Sequence, residues 1–198
     1  MAKRVVTISR EFGSGGRIVG RQVAERLGIA FYDKAFIAKV AEKSGLDPSY
    51  IMEFGEYATS TSGFVYNLEL HAGFPAGGTA IPDQLYIIQH NAILELAENE
   101  SCVIVGRCAD YALQDRGDCL HVFLHADKKL RANRVVCLYG ENSEETERRI
   151  DDTDGKRKVY YEHYTGRIWG MADNYHLSLD SGAFGIDKCV DIIVDLAR

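Results

Sequence analysis

The sequence predicts an α/β fold built on a parallel sheet, and three observations carry that prediction. A β-branched run, Val5-Val6-Thr7-Ile8, passes through a loop with three glycines into apolar residues at helical spacing, Val19, Val23, Ala24 and Leu27. Two further runs, Cys102-Val103-Ile104-Val105 and Leu120-His121-Val122-Phe123-Leu124, have the composition of strands buried on both faces. Helical patterns follow or precede these runs, as crossovers between parallel strands require. At 198 residues and 46% apolar content, the chain supports one domain spanning 1–198 with ample material for a core.

The first unit is strand, glycine loop, helix. Glycines let backbone N–H groups converge on an anion, and the helix N-terminus behind them adds about half a positive charge, so Gly13, Ser14, Gly15, Gly16 and Arg17 suit phosphate. A bare glycine cluster also serves as a connecting turn; the charged Ser9-Arg10-Glu11 beside this one favours the anion site. Set against the phosphate-binding pattern G-x-x-x-x-G-K-[ST], the loop places Arg10 at the first glycine, Gly15 at the second, Gly16 at the lysine and Arg17 at the hydroxyl position. A register shifted to Gly15–Gly20 strips Ile18 and Val19 from the helix's apolar face, so the unshifted one is preferred. Arg17, in the first helical turn, and Arg21, one turn later on the same face, are then the candidates for the missing positive charge, with Arg17 nearer the loop.

The helix Ile18 to Gly28 closes on Gly28, and Ile29-Ala30-Phe31-Tyr32 forms a second strand ending at Asp33. Asp33 stands on the strand edge where open α/β sheets bind ligands, and it also suits the N-cap of a helix over Ala35 to Lys43. Residues 44 to 82 are broken by Pro48, Gly55, Gly63, Gly73, Pro75, Gly77, Gly78 and Pro82, which predicts a helical, mobile insertion. From Asp83 the helical pattern returns, with Leu85, Ile88, Ala92, Ile93, Leu96 and Ala97 on one face.

The strand over residues 102–105 ends in Gly106-Arg107-Cys108-Ala109-Asp110, which puts an arginine at a strand tip, able to grip a phosphate bidentately or to pair with a nearby acid. The strand over 120–124 leads into a basic helix with Lys128, Lys129, Arg131 and Arg134. His121 and His125 lack a third ligand at metal spacing and are read as structural, so no metal-binding cluster is predicted. Residues 143 to 168 hold the densest charge, a solvated helix laced with pairs such as Glu144–Arg148, or a lid whose Arg148, Arg149, Lys156, Arg157 and Lys158 close over phosphates. A last strand, Tyr175 to Ser181, and a helix from Gly185-Ile186 complete the α/β order.

A net charge of −6 argues against broad nucleic-acid or anionic-membrane binding. The five scattered cysteines form neither a disulfide framework nor zinc spacing. Neither a secretory leader nor an apolar run of about 18 residues is seen, so a cytoplasmic location is expected.

Laid end to end, the parts resemble the P-loop nucleoside monophosphate kinases, most closely the cytidylate kinase-like family. The resemblance rests on Ile8 to Gly16 with Gly20-Arg21, then Phe31-Tyr32-Asp33-Lys34, Val103-Ile104-Val105-Gly106-Arg107, Tyr160-Tyr161…Tyr164-Thr165-Gly166…Trp169-Gly170, and Asn174-Tyr175…Leu177. It implies a three-layer sandwich with a five-stranded parallel sheet, ATP and Mg²⁺ as donor and cofactor, small-molecule nucleotide substrates, a helical acceptor-binding region at about 44–82 and a lid at about 143–168. It also implies that Gly13 to Arg17 hold the donor phosphates, that Asp33 and Arg107 line the acceptor site, and that Asp154 and Arg157 match the lid's D-x-x-R. Where the family shows D-G-R-D this chain reads Val105-Gly106-Arg107-Cys108, leaving Asp110 as the acid nearest the acceptor. The functional expectation is a phosphotransferase acting on a nucleoside monophosphate of the CMP or dCMP kind, with Arg17, Arg107 and Arg157 catalytic. A nucleotide-binding protein without turnover and a kinase for a non-nucleotide acceptor stand as alternatives.

Overall fold

A computed structural model describes residues 4–33, 81–139 and 143–198. The helix expected over Ala35 to Lys43 and almost all of the insertion expected at 44–82 lie outside the described residues. The described elements run β1 (Val5–Arg10), α1 (Gly16–Leu27), β2 (Ala30–Tyr32), α2 (Ile81–Asn99), β3 (Cys102–Val105), α3 (Ala109–Ala112), β4 (Cys119–His125), α4 (Lys128–Tyr139), α5 (Ser143–Thr165), a 3₁₀ turn (Ala172–Asn174), β5 (Leu177–Asp180) and α6 (Ile186–Ala197).

The five strands form one parallel sheet in the order β2-β3-β1-β4-β5. The expected five-stranded parallel sheet is what the chain forms. β1 lies at the centre, pairing Val5–Ile8 with Cys102–Val105 of β3 and Val5–Arg10 with Cys119–Leu124 of β4. Pairing with β4 carries β1 two residues past its β-branched run, to Arg10. Because β3 and β4 flank β1 on opposite sides, the carboxyl end of β1 opens onto the crevice where doubly wound sheets bind ligands.

Successive strand residues point to opposite faces, so each strand feeds two cores. On one face Val6, Ile8, Val103, Val105, Val122 and Leu124 pack with Val19, Val23 and Ala24 of α1 and Cys189, Val190, Ile193 and Val194 of α6. On the other, Val5, Cys102, Ile104 and Cys119 pack with Ile93 and Ala97 of α2 and with Ala109 and Leu113 around α3. Full burial of each Val, Ile or Leu is worth about 1.5–3 kcal/mol, so these two layers fix where the crevice sits. His121 is a sheet residue with Nδ1 at 2.8 Å from Thr7 Oγ1. All five cysteines are free thiols, and four of them are buried. Among the described residues no helix is long and apolar enough to cross a membrane, and no cluster of three His, Cys, Asp or Glu could hold a metal.

Candidate active site

The glycine loop leaves β1 in line with the sheet. Glu11 N–H still donates to Leu124 C=O at 3.0 Å, and the chain then turns as Ser14 donates to the Glu11 carbonyl through both N–H (3.3 Å) and Oγ (2.8 Å). Gly13 holds φ at 79°, and a Cβ there would lie 2.9 Å from the Arg131 carbonyl oxygen, so backbone conformation and space both require glycine. α1 begins at Gly16 with no side chain capping its first turn. Its leading N–H groups therefore have no side-chain cap among the described residues, the condition under which a helix start can take an anion.

The loop carbonyls are tied by side chains. Arg157 Nη1 donates to Arg10 C=O at 3.1 Å, Arg131 Nη1 to Phe12 C=O at 3.0 Å, Arg134 Nη1 to Gly13 C=O at 3.0 Å and Ser181 Oγ to Ser14 C=O at 2.5 Å. Of the amides in the same peptide groups, Glu11 N–H and Ser14 N–H are already donated, to the Leu124 and Glu11 carbonyls, which leaves those of Gly13 and Gly15 to meet an anion. Asp154 accepts the Phe12 N–H at 2.7 Å and the Arg131 guanidinium at 2.6 Å, while Glu11 takes the Ala126 N–H at 3.1 Å and lies 3.3 Å from Arg131 Nε. Arg131 and Arg157 are buried and Asp154 nearly so, which raises the value of these charged bonds above that of surface pairs. Beyond them, the Phe12 ring lies beneath Arg149 and Arg157, whose guanidinium carbons stand 5.2 and 5.7 Å from its centroid. Phe12, Arg148, Arg149, Asp152 and Lys156 line a cavity of about 490 Å³.

Across the crevice, Arg17 Nη2 pairs with Asp33 Oδ2 at 2.7 Å, joining the start of α1 to the end of β2. Arg21 instead stands 5.7 Å over the Phe31 ring. Arg107 follows β3 at φ 61°, and Cys108 at φ 52°; left-handed backbone at two residues that are not glycine is strain of the kind kept at functional sites. The Arg107 side chain is 4% exposed and donates from Nη1 to Gln89 Oε1 at 3.3 Å, yet its Nε and Nη2 have no hydrogen-bond partner among the described residues. Each unsatisfied donor of that kind costs about 1–3 kcal/mol, and more when charged. Asp110, also 4% exposed, accepts Tyr161 OH at 2.7 Å. Burial pushes its carboxyl up to about 6, partly opposed by the Tyr161 bond and the Arg167 charge. Around it Cys108, Tyr160 and Tyr161 pack with Tyr86, Tyr111, Tyr164 and Trp169, Tyr86 and Tyr164 stacking at 4.1 Å.

The model of the cytidylate kinase-like family matches residues 5–183. The chain belongs to that family. Among solved structures, it is similar to an uncharacterized protein from Eubacterium ventriosum at 27% identity, covering 98% of this chain and 97% of that one with a TM-score of 0.74. A shikimate kinase from Bacteroides thetaiotaomicron (16% identity, 97% of each chain, TM-score 0.53) and a gluconokinase from Sinorhizobium meliloti (17% identity, 98% of this chain and 93% of that one, TM-score 0.52) share the fold. No curated protein matches the sequence.

In this cytidylate kinase-like chain the lysine and hydroxyl positions of the loop have physical occupants. A Cβ at Gly16 would lie 2.8 Å from both Cβ and Cγ of Arg10, so the Arg10 stem fills the space a lysine would start from. Arg17, at the hydroxyl position, is committed to Asp33. Among the residues singled out in the sequence, the structure brings Arg17 to Asp33, seats Asp154 and Arg157 against the loop, and buries Arg107 and Asp110 behind the tip of β3. Sequence reasoning passed over Glu11, Gln89, Arg131, Arg134 and Ser181 as site residues. Arg131 and Arg134 carried a signal in their i,i+3 spacing on the helix that follows a buried strand, and Gln89 in standing on the apolar face of α2.

Proposed function

We propose that the protein is a phosphotransferase that moves the γ-phosphoryl group of ATP to a nucleoside monophosphate of the CMP or dCMP kind, or to a similar small phosphorylated acceptor. The observation that carries this reading is a glycine loop with pinned carbonyls beside a buried arginine, Arg107, whose Nε and Nη2 have no hydrogen-bond partner among the described residues. Phosphoryl transfer asks for positioning and charge neutralisation more than for covalent chemistry. The amides of Gly13 to Arg17 would hold the donor phosphates, Arg17 would neutralise charge at the loop, and Arg107 would grip the acceptor's anionic group. In this reading α5 is the lid, with Asp154 and Arg157 setting the loop's shape and Arg148, Arg149 and Lys156 facing the donor side.

This glycine loop, ahead of a helix start, would suit the phosphates of a triphosphate. It does not fit an ordinary P-loop magnesium site, because the position that normally supplies the hydroxyl ligand carries the Arg17 guanidinium instead. The steps above therefore use only this chain's own groups.

Two other readings have their own support. The absence of both lysine and hydroxyl from the loop favours a nucleotide-binding protein without turnover. Likeness in fold to shikimate kinase and gluconokinase admits an acceptor that is not a nucleotide. A coupled assay for ADP release, run with ATP, Mg²⁺ and a panel of nucleoside monophosphates, shikimate and gluconate, separates the three. Acceptor-dependent release with a monophosphate supports the proposal, release only with the other acceptors favours the third reading, and nucleotide binding without release favours the second.

A further inference from the structure

We propose that Arg10 supplies the cation that an ordinary P-loop takes from its lysine. The two side chains have exchanged origins across the loop: arginine stands at the first glycine position and glycine at the lysine position. The inference deepens the donor-site reading above and rests on it. Strand residues alternate between faces, so Arg10 points to the same side of β1 as Val6 and Ile8, which pack with α1. Ile8 meets α1 at Gly20, where a Cβ would lie 3.3 Å from Ile8 Cδ1. One turn nearer the loop, Arg10 meets α1 at Gly16, where a Cβ would lie 2.8 Å from both Cβ and Cγ of Arg10 and 3.5 Å from its Cδ. The arginine stem thus runs along the place from which a lysine at position 16 would set out, and one excludes the other.

Packing alone does not ask for a charge here. The contact with Gly16 is made by methylenes, which a methionine or leucine would supply equally well. The guanidinium beyond Cδ instead brings a cation to a helix whose first turn has no acidic residue, no side-chain cap, and already holds Arg17. A helix start carries about half a positive charge, so like charges gather at this corner and an anion relieves them. In an ordinary P-loop the lysine meets the β- and γ-phosphates of a nucleoside triphosphate, and that polyphosphate is the ligand class assigned to Arg10. The side chain is partly exposed, so it is not sealed in the core. Arg157 Nη1 holds the Arg10 carbonyl at 3.1 Å, which fixes the backbone from which the side chain departs. The next two arginines of the chain are engaged elsewhere, Arg17 with Asp33 at 2.7 Å and Arg21 over the Phe31 ring at 5.7 Å.

Calorimetric titration of the full-length protein with ATP and with adenosine tests the assignment. Arg10→Met keeps a stem against Gly16 and removes the charge. It should weaken ATP binding at least tenfold, leave adenosine binding within about twofold, and keep the thermal midpoint of the parent. The exchanged variant, Arg10→Gly with Gly16→Lys, moves the cation back to the ordinary position and should recover most of the affinity that Arg10→Gly loses. Gly16→Lys alone sets its stem against Arg10 and should lower the thermal midpoint. Parent-like ATP affinity in Arg10→Met overturns the assignment, and so does a loss for ATP matched by an equal loss for adenosine, which would make Arg10 a prop for the loop. An exchanged variant that folds yet binds ATP no better than Arg10→Gly overturns it too; if that variant fails to fold, Arg10→Met decides alone. Turnover is read separately: ATP binding that depends on Arg10 without transfer to any acceptor defeats the kinase reading and leaves the assignment standing, and transfer at the parent rate in Arg10→Met does the reverse.

Discussion

Asp154 on α5 receives the Phe12 N–H at 2.7 Å on one carboxylate oxygen and Arg131 at 2.6 Å on the other, so one residue of the charged helix fixes both the glycine loop and the arginine that props it. Replacing it with alanine leaves Arg131, 8% exposed, with Glu11 at 3.3 Å as its remaining carboxylate. Losing one partner of a buried pair costs about 3–5 kcal/mol, and Asp154→Ala should fall near the lower end because Asp154 itself keeps some contact with water. Asp154→Asn, which retains an oxygen for the Phe12 N–H, should cost less. Urea unfolding of both variants checks the order; a change within about 0.5 kcal/mol, the range of ordinary surface substitutions, would remove Asp154 from the loop's support.

Arg17 and Arg21 share one face of α1 but have different partners, Asp33 and the Phe31 ring. Arg17→Ala should therefore lose more turnover than Arg21→Ala. Arg17→Lys should recover little, since a lysine lacks the fork that can hold Asp33 and a phosphate oxygen together. Steady-state rates for the three variants decide it; normal rates in both alanine variants would mean that neither arginine compensates for the missing lysine.

Arg107 sets function against stability. A buried guanidinium with no carboxylate partner among the described residues is costly to the unliganded fold, so Arg107→Met should unfold at the same or a higher temperature than the parent. The same change should weaken acceptor binding by about 1.5–3 kcal/mol, the worth of hydrogen bonds to a charged group. Calorimetry supplies both numbers, and a variant that is destabilised yet binds the acceptor normally would assign Arg107 to structure.

Asp110 makes stability depend on pH. Its folded carboxyl titrates near 6 against an ordinary 3.8, so the folded state binds the proton more tightly than the unfolded chain does. The contribution of Asp110 to stability should be highest below about pH 4, fall as pH rises through about 6, and level off above, a total of roughly 3 kcal/mol at about 1.4 kcal/mol per pH unit, while Asp118, Asp180 and Asp191, whose carboxyls are held low, contribute in the opposite sense. Asp110→Asn keeps an oxygen for Tyr161 OH and should be more stable than the parent at pH 8 but no different at pH 4. Parallel pH profiles for the two proteins would contradict this.

How much of this was legible from the chain follows from which interactions are local. β1, the glycine loop and α1 could be read directly, because Val5 to Ile8 and Val19 to Leu27 carry the periods of a strand and a helix within one short stretch. Arg107 stood out for the same reason, since it lies just past a four-residue apolar run and the glycine that ends it. The grip of α4 and α5 on the loop was not legible: Arg131, Arg134 and Asp154 meet Phe12 and Gly13 across 119 to 142 residues of sequence, and nothing local marks them as partners. Their charges read as a solvated surface and a lid. Gln89 was masked by its neighbours, a single polar residue in a helix identified by its apolar ones. The left-handed turn at Arg107 and Cys108 was hidden because neither residue type announces positive φ.

The central claim is that this loop and this arginine serve one phosphoryl transfer, and ³¹P NMR of the protein with ATP, Mg²⁺ and each acceptor in turn tests it most directly. The account predicts that the γ-phosphate signal declines as ADP and a new phosphorylated product appear, only when a monophosphate acceptor is present, and that Arg107→Met abolishes the conversion. A γ-phosphate signal that stays constant with every acceptor, in protein shown to bind ATP, would contradict it.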